Sequence, residues 1–122
     1  MSMTFPVQSL QFSSSVTGHR TCFLASAYSD SILLVATQLG TLGTVLQAKS
    51  EINMEGEADF SIVVLLGKRD EPLLTLCTRR LAEGVAAAAG NRRALVVGLA
   101  LKEHSMEAVR EVVQQFMAHP VW

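Results

Sequence analysis

The stretch SIVVLLGKRDEPLLTLCTRRLAEGVAAAAGNRRALVVGLAL, residues 61–101, decides the fold. Residues 62–66 (IVVLL) are short, continuous and rich in β-branched side chains, which predicts a buried strand. A polar segment follows, and Pro72 suits the first turn of a helix because its missing N–H needs no partner there. The eight apolar residues 94–101 predict a second strand that is buried on both faces. These elements together predict a β–α–β crossover at the centre of one domain.

The helix of this crossover has one apolar side. Its apolar residues recur at steps of three and four, the spacing of a helix face that packs on a core: Leu73, Leu74, Cys77, Leu81, Val85 and Ala88. Asp70 and Glu71 lie where the helix dipole favours negative charge. Gly90-Asn91 should end the helix, since both residues accept the left-handed backbone conformation.

The N-terminal half predicts four strands joined by short turns: residues 5–16 at a sheet edge, then 21–28, 31–38 and 44–49. Turns of this length join neighbouring antiparallel strands, so these four strands predict a meander. At the other end of the chain, Ser105 is a candidate N-cap for a second helix, and Pro120 should end it. The chain is therefore predicted to be α+β, with about six mostly antiparallel strands and two helices on one face.

Residues 50–59 (SEINMEGEAD) separate the two halves and have a different composition. They lack a strand pattern and predict a mobile loop within a single domain that spans residues 1–122. Exposed charges of one sign can attract a basic partner surface, although a solvated connection would have the same composition. The candidate partner-binding residues are Glu51, Glu55, Glu57 and Asp59.

Charge and hydropathy limit the classes of function. The formal net charge is −1 and the sequence pI is about 6.3, so there is no general attraction to nucleic acid or to an acidic membrane. No apolar run approaches the ~20 residues that span a bilayer, and the N-terminus does not resemble a signal peptide. Cys22 falls in a predicted strand and Cys77 on the apolar side of the predicted helix. This predicts two buried thiols rather than a disulfide, and a reducing, cytoplasmic location.

The sequence contains no recognisable catalytic, cofactor or metal motif. The glycine-rich segment 39–44 (LGTLGT) lacks the lysine and the following helix of a phosphate-binding loop, so its glycines are interpreted as turn residues. His19, His104 and His119 are far apart and lack the spacing of metal ligands. The serines show no nucleophile elbow. We therefore predict a protein that is not an enzyme and binds no cofactor.

The predicted sheet has more apolar surface than its own helices can cover. Six strands at ~4.8 Å spacing make a sheet about 29 Å wide, whereas two helices cover about 20 Å of one face. The second face has no helix, yet three strands are apolar at successive positions. A soluble monomer normally exposes no apolar patch larger than a few hundred Å². We therefore expect another sheet, from a partner subunit, to pack against this face.

Four segments resemble the proteasome assembly chaperone 3 family: ILLVATQLGTLGTVL (32–46), VVLLGKRDEPLLTL (63–76), AGNRRALVVGLALKEHSMEAVREV (89–112) and the final Val121-Trp122. The similarity covers roughly residues 30–48 and 62–112. It implies a non-enzymatic chaperone that forms a heterodimer with a similarly folded chaperone, proteasome assembly chaperone 4. A homodimer of the isolated chain is an open alternative. It further implies that the pair binds proteasome α-subunits and orders the α-ring before β-subunits arrive.

Two other interpretations remain open from the residues. One is a dimeric adaptor of the roadblock or longin type, which also places helices on a small sheet and scaffolds signalling or trafficking complexes. The other is a small enzyme whose active site forms between two chains. A residue with a strongly shifted pKa in a cleft would favour the enzyme.

Overall fold

The computed structural model describes residues 8–52, 54–56, 58–89 and 93–122. The elements in chain order are β1 (Gln8–Val16), β2 (His19–Ala27), β3 (Ser31–Thr37), β4 (Thr44–Ile52), β5 (Ala58–Leu66), α1 (Pro72–Ala89), β6 (Ala94–Ala100) and α2 (Met106–Ala118). The six strands form one sheet in the order β1-β2-β3-β6-β4-β5. The predicted α+β fold class is confirmed. Residues 5–7, Glu57 and Gly90-Asn91, to which the sequence assigned roles, lie outside the described residues.

The crossover predicted from residues 61–101 is present. Strand β5 is antiparallel to β4, and β4 is antiparallel to β6, so β5 and β6 point in the same direction. Helix α1 carries the chain from one to the other across β4. Strand β6 lies inside the sheet, parallel to β3 on its other side. Its position explains why this strand is apolar at every residue.

The predicted four-strand meander is wrong at its last strand. Strands β1, β2 and β3 do form an antiparallel meander, but β4 does not pair with β3. Strand β6 occupies the place beside β3 and separates it from β4. The short turn 39–43 favoured direct pairing of β3 with β4. The more apolar β6 takes the central place, where neighbouring strands cover both of its edges.

The prediction that residues 62–66 form a buried strand is also wrong. Strand β5 lies at the edge of the sheet, and Val63, Leu65 and Leu66 are 51%, 49% and 64% exposed. A continuous apolar run indicates that a strand will be covered on both faces. It does not say whether the cover comes from the same chain.

The loop in the acidic segment is shorter than the residues 50–59 predicted from the sequence. Strand β4 continues to Ile52 and β5 begins at Ala58, so both ends of residues 50–59 belong to a β-hairpin. Glu51 pairs directly with Asp59 across this hairpin. Backbone pairing therefore extends past the apolar part of the strands, into residues whose side chains alone gave no strand pattern.

The hydrophobic core lies between one face of the sheet and the two helices. From α1 it contains Leu74, Cys77, Leu81 and Val85, and from α2 it contains Val109, Val112 and Phe116. The N-cap prediction for α2 is confirmed, since Ser105 Oγ accepts a hydrogen bond of 3.1 Å from the Ala108 N–H. The helices also pack against each other. A Cβ at Gly84 would lie 2.8 Å from Met117 Sδ, so glycine at this position allows close contact between the helices.

One polar side chain joins segments that are distant in sequence. Gln38 Nε2 donates hydrogen bonds to the Val16 carbonyl oxygen (3.2 Å) and to Thr21 Oγ1 (3.0 Å). Gln38 Oε1 accepts a hydrogen bond of 2.7 Å from the Lys102 N–H. The β1–β2 hairpin, the end of β3 and the segment after β6 are thereby held together at one end of the sheet.

The central position of β6 predicts a clear difference between two valine substitutions. Val97 is fully buried in β6, so Val97→Ala should destabilise the protein by about 1–3 kcal/mol through lost burial and a residual cavity. Val63→Ala removes the same atoms from a half-exposed position on β5 and should have a much smaller effect. Urea unfolding of both variants measures the difference. Equal effects would contradict the central position of β6.

Candidate protein-binding face

The sheet face opposite the helices, called the outer face below, is apolar at its centre. Side chains alternate between the two faces of a sheet, and residues paired across strands share a face. Two paired rows cross the outer face. One contains Leu24, Val35, Gly98, Val45 and Leu66, and the other contains Ser26, Leu33, Val96, Gln47 and Val63. The flanking residues on these strands, such as Leu34, Val97 and Leu46, are fully buried toward the helices.

The two sides of the outer face differ in polarity. On β1 the outer-face positions are polar, with Ser9, Gln11, Ser13 and Ser15, and Ser9 Oγ lies 3.0 Å from Ser26 Oγ. On β5 the corresponding positions are apolar and exposed. Cys22 pairs with Ser13 on the polar side and is exposed, so the prediction that it is buried is wrong. The strand pattern did not show to which face Cys22 belongs.

The turn 39–43 extends the apolar part of the outer face. A Cβ at Gly98 would lie 3.2 Å from the Leu42 carbonyl oxygen and 3.5 Å from Leu42 Cδ2. The turn therefore lies against the sheet where Gly98 has no side chain, and Leu42 remains 52% exposed. Gly43 has a φ of +66°, and a Cβ there would lie 2.8 Å from the Ala100 Cα. This glycine therefore serves the turn, in agreement with its interpretation from the sequence.

The structure places the described acidic candidates at one end of the β4–β5 hairpin. Glu51 and Asp59 face each other across the strands, and Glu55 is exposed in the turn. Asp59 Oδ1 accepts a hydrogen bond of 2.8 Å from the Phe60 N–H and lies 3.2 Å from Arg79 Nη1. Like charges directly opposite each other destabilise a strand pair. The guanidinium of Arg79 offsets part of this repulsion, a contact that the sequence did not predict.

A groove of about 290 Å³ lies at the other end of the sheet, beside the start of α1. Leu39, Leu74 and Leu101 line it together with His104. His104 Nδ1 lies 2.9 Å from Glu71 Oε2, and both side chains are about three-quarters buried. The sequence assigned Glu71 to the helix start, and its backbone carbonyl does accept hydrogen bonds from Leu74 and Thr75 there. The pairing of its carboxylate with His104 is set by the fold.

The side chains most often used for metal binding or nucleophilic chemistry do not gather at one site in the described part of the chain. Its His, Cys, Asp and Glu side chains form no group of three or more that could hold a metal ion. Burial raises the pKa of the Cys77 thiol to about 12, so this cysteine is a neutral core side chain at physiological pH. His119 caps α2 and its ring stacks on Phe12 at a centroid distance of 3.9 Å. Cys77 therefore contributes to the hydrophobic core, and His119 stabilises the end of α2.

Membrane insertion through a helix finds no support in the described residues. Neither α1 nor α2 is long and apolar enough to cross a bilayer.

The structure is thus an α+β fold whose six-stranded sheet carries both helices on one face and is apolar on the other. The model of the proteasome assembly chaperone 3 family matches residues 34–119 of this chain. The chain belongs to that family. Its fold also resembles a chain in the crystal structure of a novel chaperone complex for yeast 20S proteasome assembly. That match has a TM-score of 0.70 at 16% sequence identity, and it covers 88% of this chain and 95% of the other.

Curated relatives are similar over most of their length. Proteasome assembly chaperone 3 of Bos taurus is 40% identical over 109 residues, which is 88% of this chain and 88% of the relative. The Mus musculus protein of the same name is 34% identical over 118 residues, or 95% of each chain. The Homo sapiens protein is 34% identical over 109 residues, or 88% of each.

Sequence reasoning predicted an open apolar face but missed the residues that expose it most. Leu42 was assigned to a turn, and Val63 and Leu66 were assigned to a buried strand. Their apolar character was visible in the sequence. Their exposure depends on the folding of the turn onto Gly98 and on the edge position of β5, and neither is a local property of the chain.

The outer face predicts self-association of the isolated chain at micromolar concentration. Leu42→Lys places a charge on this face and should weaken association at least tenfold, because the ammonium group would have to be desolvated. Leu39→Lys is the matched control, since Leu39 is equally exposed, at 56%, but lines the groove. Sedimentation velocity over a concentration series measures both. A wild-type chain that stays monomeric and binds no apolar dye would contradict the role of the outer face.

Proposed function

We propose that this chain is a non-enzymatic chaperone for assembly of the proteasome core particle. In this proposal it pairs with a similarly folded chaperone, and the pair binds α-subunits and orders the α-ring before β-subunits arrive. Membership of the proteasome assembly chaperone 3 family supports the general role. The apolar outer face is the observation that carries the proposal, because it provides a docking surface where the chain has no helix of its own.

The pairing partner that best fits the outer face is another sheet. Two sheets pack face to face about 10 Å apart, with their inner side chains interdigitated. The outer face offers branched apolar side chains at its centre, among them the partly exposed Leu33 and Val96. A partner of the same fold would present a similar surface. We propose proteasome assembly chaperone 4 as this partner, with a homodimer formed when the chain is alone.

The family assignment favours the chaperone over the roadblock or longin adaptor, which has a similar layer arrangement. We also propose a cytoplasmic location, because an assembly chaperone has to bind core-particle subunits before they are incorporated into the particle. An active site between two chains has no supporting observation among the described residues. Cys77, whose pKa is raised by burial, lies in the core of the described structure.

Co-purification tests the proposed function directly. The tagged chain, expressed in cytosol, should retain proteasome α-subunits and a second small chaperone, identified by mass spectrometry. The Leu42→Lys variant should lose the second chaperone, whereas Leu39→Lys should keep it. Recovery of small GTPases or coat proteins in place of α-subunits would favour the adaptor and overturn the proposal.

The acidic end of the β4–β5 hairpin is proposed to attract a basic patch on an α-subunit. Three of its members, Glu51, Glu55 and Asp59, are exposed on one hairpin, and Glu57 lies between them in sequence. Exposed charges act mainly on the rate of encounter and on its salt dependence. Because Arg79 offsets part of the charge of Asp59, Asp59 should contribute less than Glu51.

Neutralising this hairpin should slow association with the α-subunit. The variant carries Glu51→Gln, Glu55→Gln, Glu57→Gln and Asp59→Asn, and Asn keeps an acceptor for the Phe60 N–H. We expect an unchanged fold, a lower association rate at low salt and a flatter salt dependence, because screening acts over ~8 Å at physiological ionic strength. Stopped-flow binding at two salt concentrations measures the rate.

A charge-matched control for this variant combines Asp70→Asn, Glu83→Gln, Glu103→Gln and Glu107→Gln, since all four residues are exposed outside the hairpin. This control should associate at nearly the wild-type rate. If the neutralised hairpin also associates at the wild-type rate in low salt, the acidic residues are only a solvated connection.

A further inference from the structure

The free edge of β5 differs from that of most edge strands. Residues 60–66 (FSIVVLL) contain no charge and no proline, and Val63, Leu65 and Leu66 are about half exposed or more. Soluble proteins usually protect an edge strand with charged residues, proline or a covering segment, because its unpaired backbone groups accept another strand. The opposite edge, β1, is polar on its outer-face side. The β5 edge is therefore the one suited to pairing.

Hydrogen bonds show which backbone groups point away from the sheet. The Phe60 N–H donates to Asp59 Oδ1. The alternating hydrogen-bond pattern, followed from the Gln38 N–H and the Ala100 carbonyl oxygen through β6 and β4, directs the same N–H out of the open edge. In an extended strand the N–H and C=O of alternate residues point to the same side. Ile62 and Val64 therefore also present their backbone groups at the open edge. Asp59, held by Arg79, protects only the first of these positions.

The charges at the two ends of this edge have opposite signs. Glu51, Glu55 and Asp59 lie at the end where β5 begins, and Lys68 and Arg69 are exposed just beyond the end of the strand. Nine residues of β5 separate the two groups by about 30 Å. A strand that pairs with this edge should be apolar at its centre, with one acidic end and one basic end.

A second copy of β5 has these properties when it runs antiparallel. We propose that two copies of this chain pair through their β5 edges around a two-fold axis, with Ile62 opposite Ile62 and Phe60 opposite Val64. In this register the Lys68-Arg69 end of each copy lies beside the acidic hairpin end of the other. Such a contact is self-complementary, as a two-fold interface requires. It joins the two sheets into one.

This contact is distinct from the proposed pairing through the outer face. Edge pairing uses backbone groups in the plane of the sheet, whereas a partner on the outer face contacts side chains that stand perpendicular to it. Both contacts can therefore form on the same chain. Two face-paired dimers joined through β5 would form an assembly with two copies of this chain and two partners.

Proline at position 62 tests the edge pairing. Ile62→Pro removes an N–H that points away from β4, so the pairing of β5 with β4 should persist. We expect association through the edge to weaken at least tenfold in sedimentation equilibrium. Ile62→Ala is the matched control, because it removes side-chain volume but keeps the N–H, and it should associate nearly as the wild type does. Equal weakening by both substitutions would overturn the proposal.

Charge reversal gives a second, independent test. Lys68→Glu with Arg69→Glu makes both ends of the edge acidic. Glu51→Lys, Glu55→Lys and Glu57→Lys together make both ends basic and leave Asp59 paired with Arg79. Each variant alone should pair at least tenfold more weakly at low salt, and an equimolar mixture should recover the wild-type association. A mixture that associates no better than its components would contradict the antiparallel register.

Hydrogen exchange locates the contact on the full-length wild-type chain. The Ile62 and Val64 amides should exchange quickly at low protein concentration and become protected as the concentration rises. The Ser61 and Val63 amides, which point to β4, should stay protected at every concentration. Protection at Ile62 and Val64 that appears only on addition of an α-subunit would assign the edge to a client strand and overturn pairing between copies. Neither result depends on the proposed chaperone function, which the co-purification tests separately.

Discussion

Both helices of this protein pack on the same face of its sheet, and the rest of the structure follows from that restriction. Burial of apolar side chains is the main favourable term in folding, and here the helices provide it for one side only. The helix-facing residues Leu34, Leu46 and Val97 are fully buried. The outer face is covered to different extents in different regions. A glycine and a folded turn cover its middle, serines line one side, and leucine and valine side chains stay open on the other.

The crossover and the second helix could be predicted because their signals are local. The spacing of apolar residues in α1 and the Ser105 cap of α2 depend on neighbours within one or two turns. The continuous apolar run of β6 likewise indicated a central strand. The order of the strands was not predictable in this way. Whether β3 lies beside β4 or β6 depends on contacts between residues some 60 positions apart, and a short connecting turn is compatible with both arrangements.

At the candidate site, too, local features were predictable from the sequence and long-range contacts were not. The acidic character of the β4–β5 hairpin is visible in the sequence, but the pairing of Asp59 with Arg79 is not, because it joins an edge strand to the middle of a helix. The pairing of Glu71 with His104 and the three contacts of the Gln38 amide also link separate segments. Polar residues of this kind have no periodicity. Their partners become evident only when the backbone brings distant segments together.

The place of β6 also bears on how the chain folds during its synthesis. The ribosome completes β3 and β4 long before β6, yet these two strands meet only through it. Until residues 94–100 emerge, the apolar edge of β3 has no native neighbour on that side. Pairing between strands so far apart in sequence is slow to form and leaves aggregation-prone edges open meanwhile. A protein of this topology is itself exposed to misassembly while it is being made, and the risk is concentrated on the inner edge of β3.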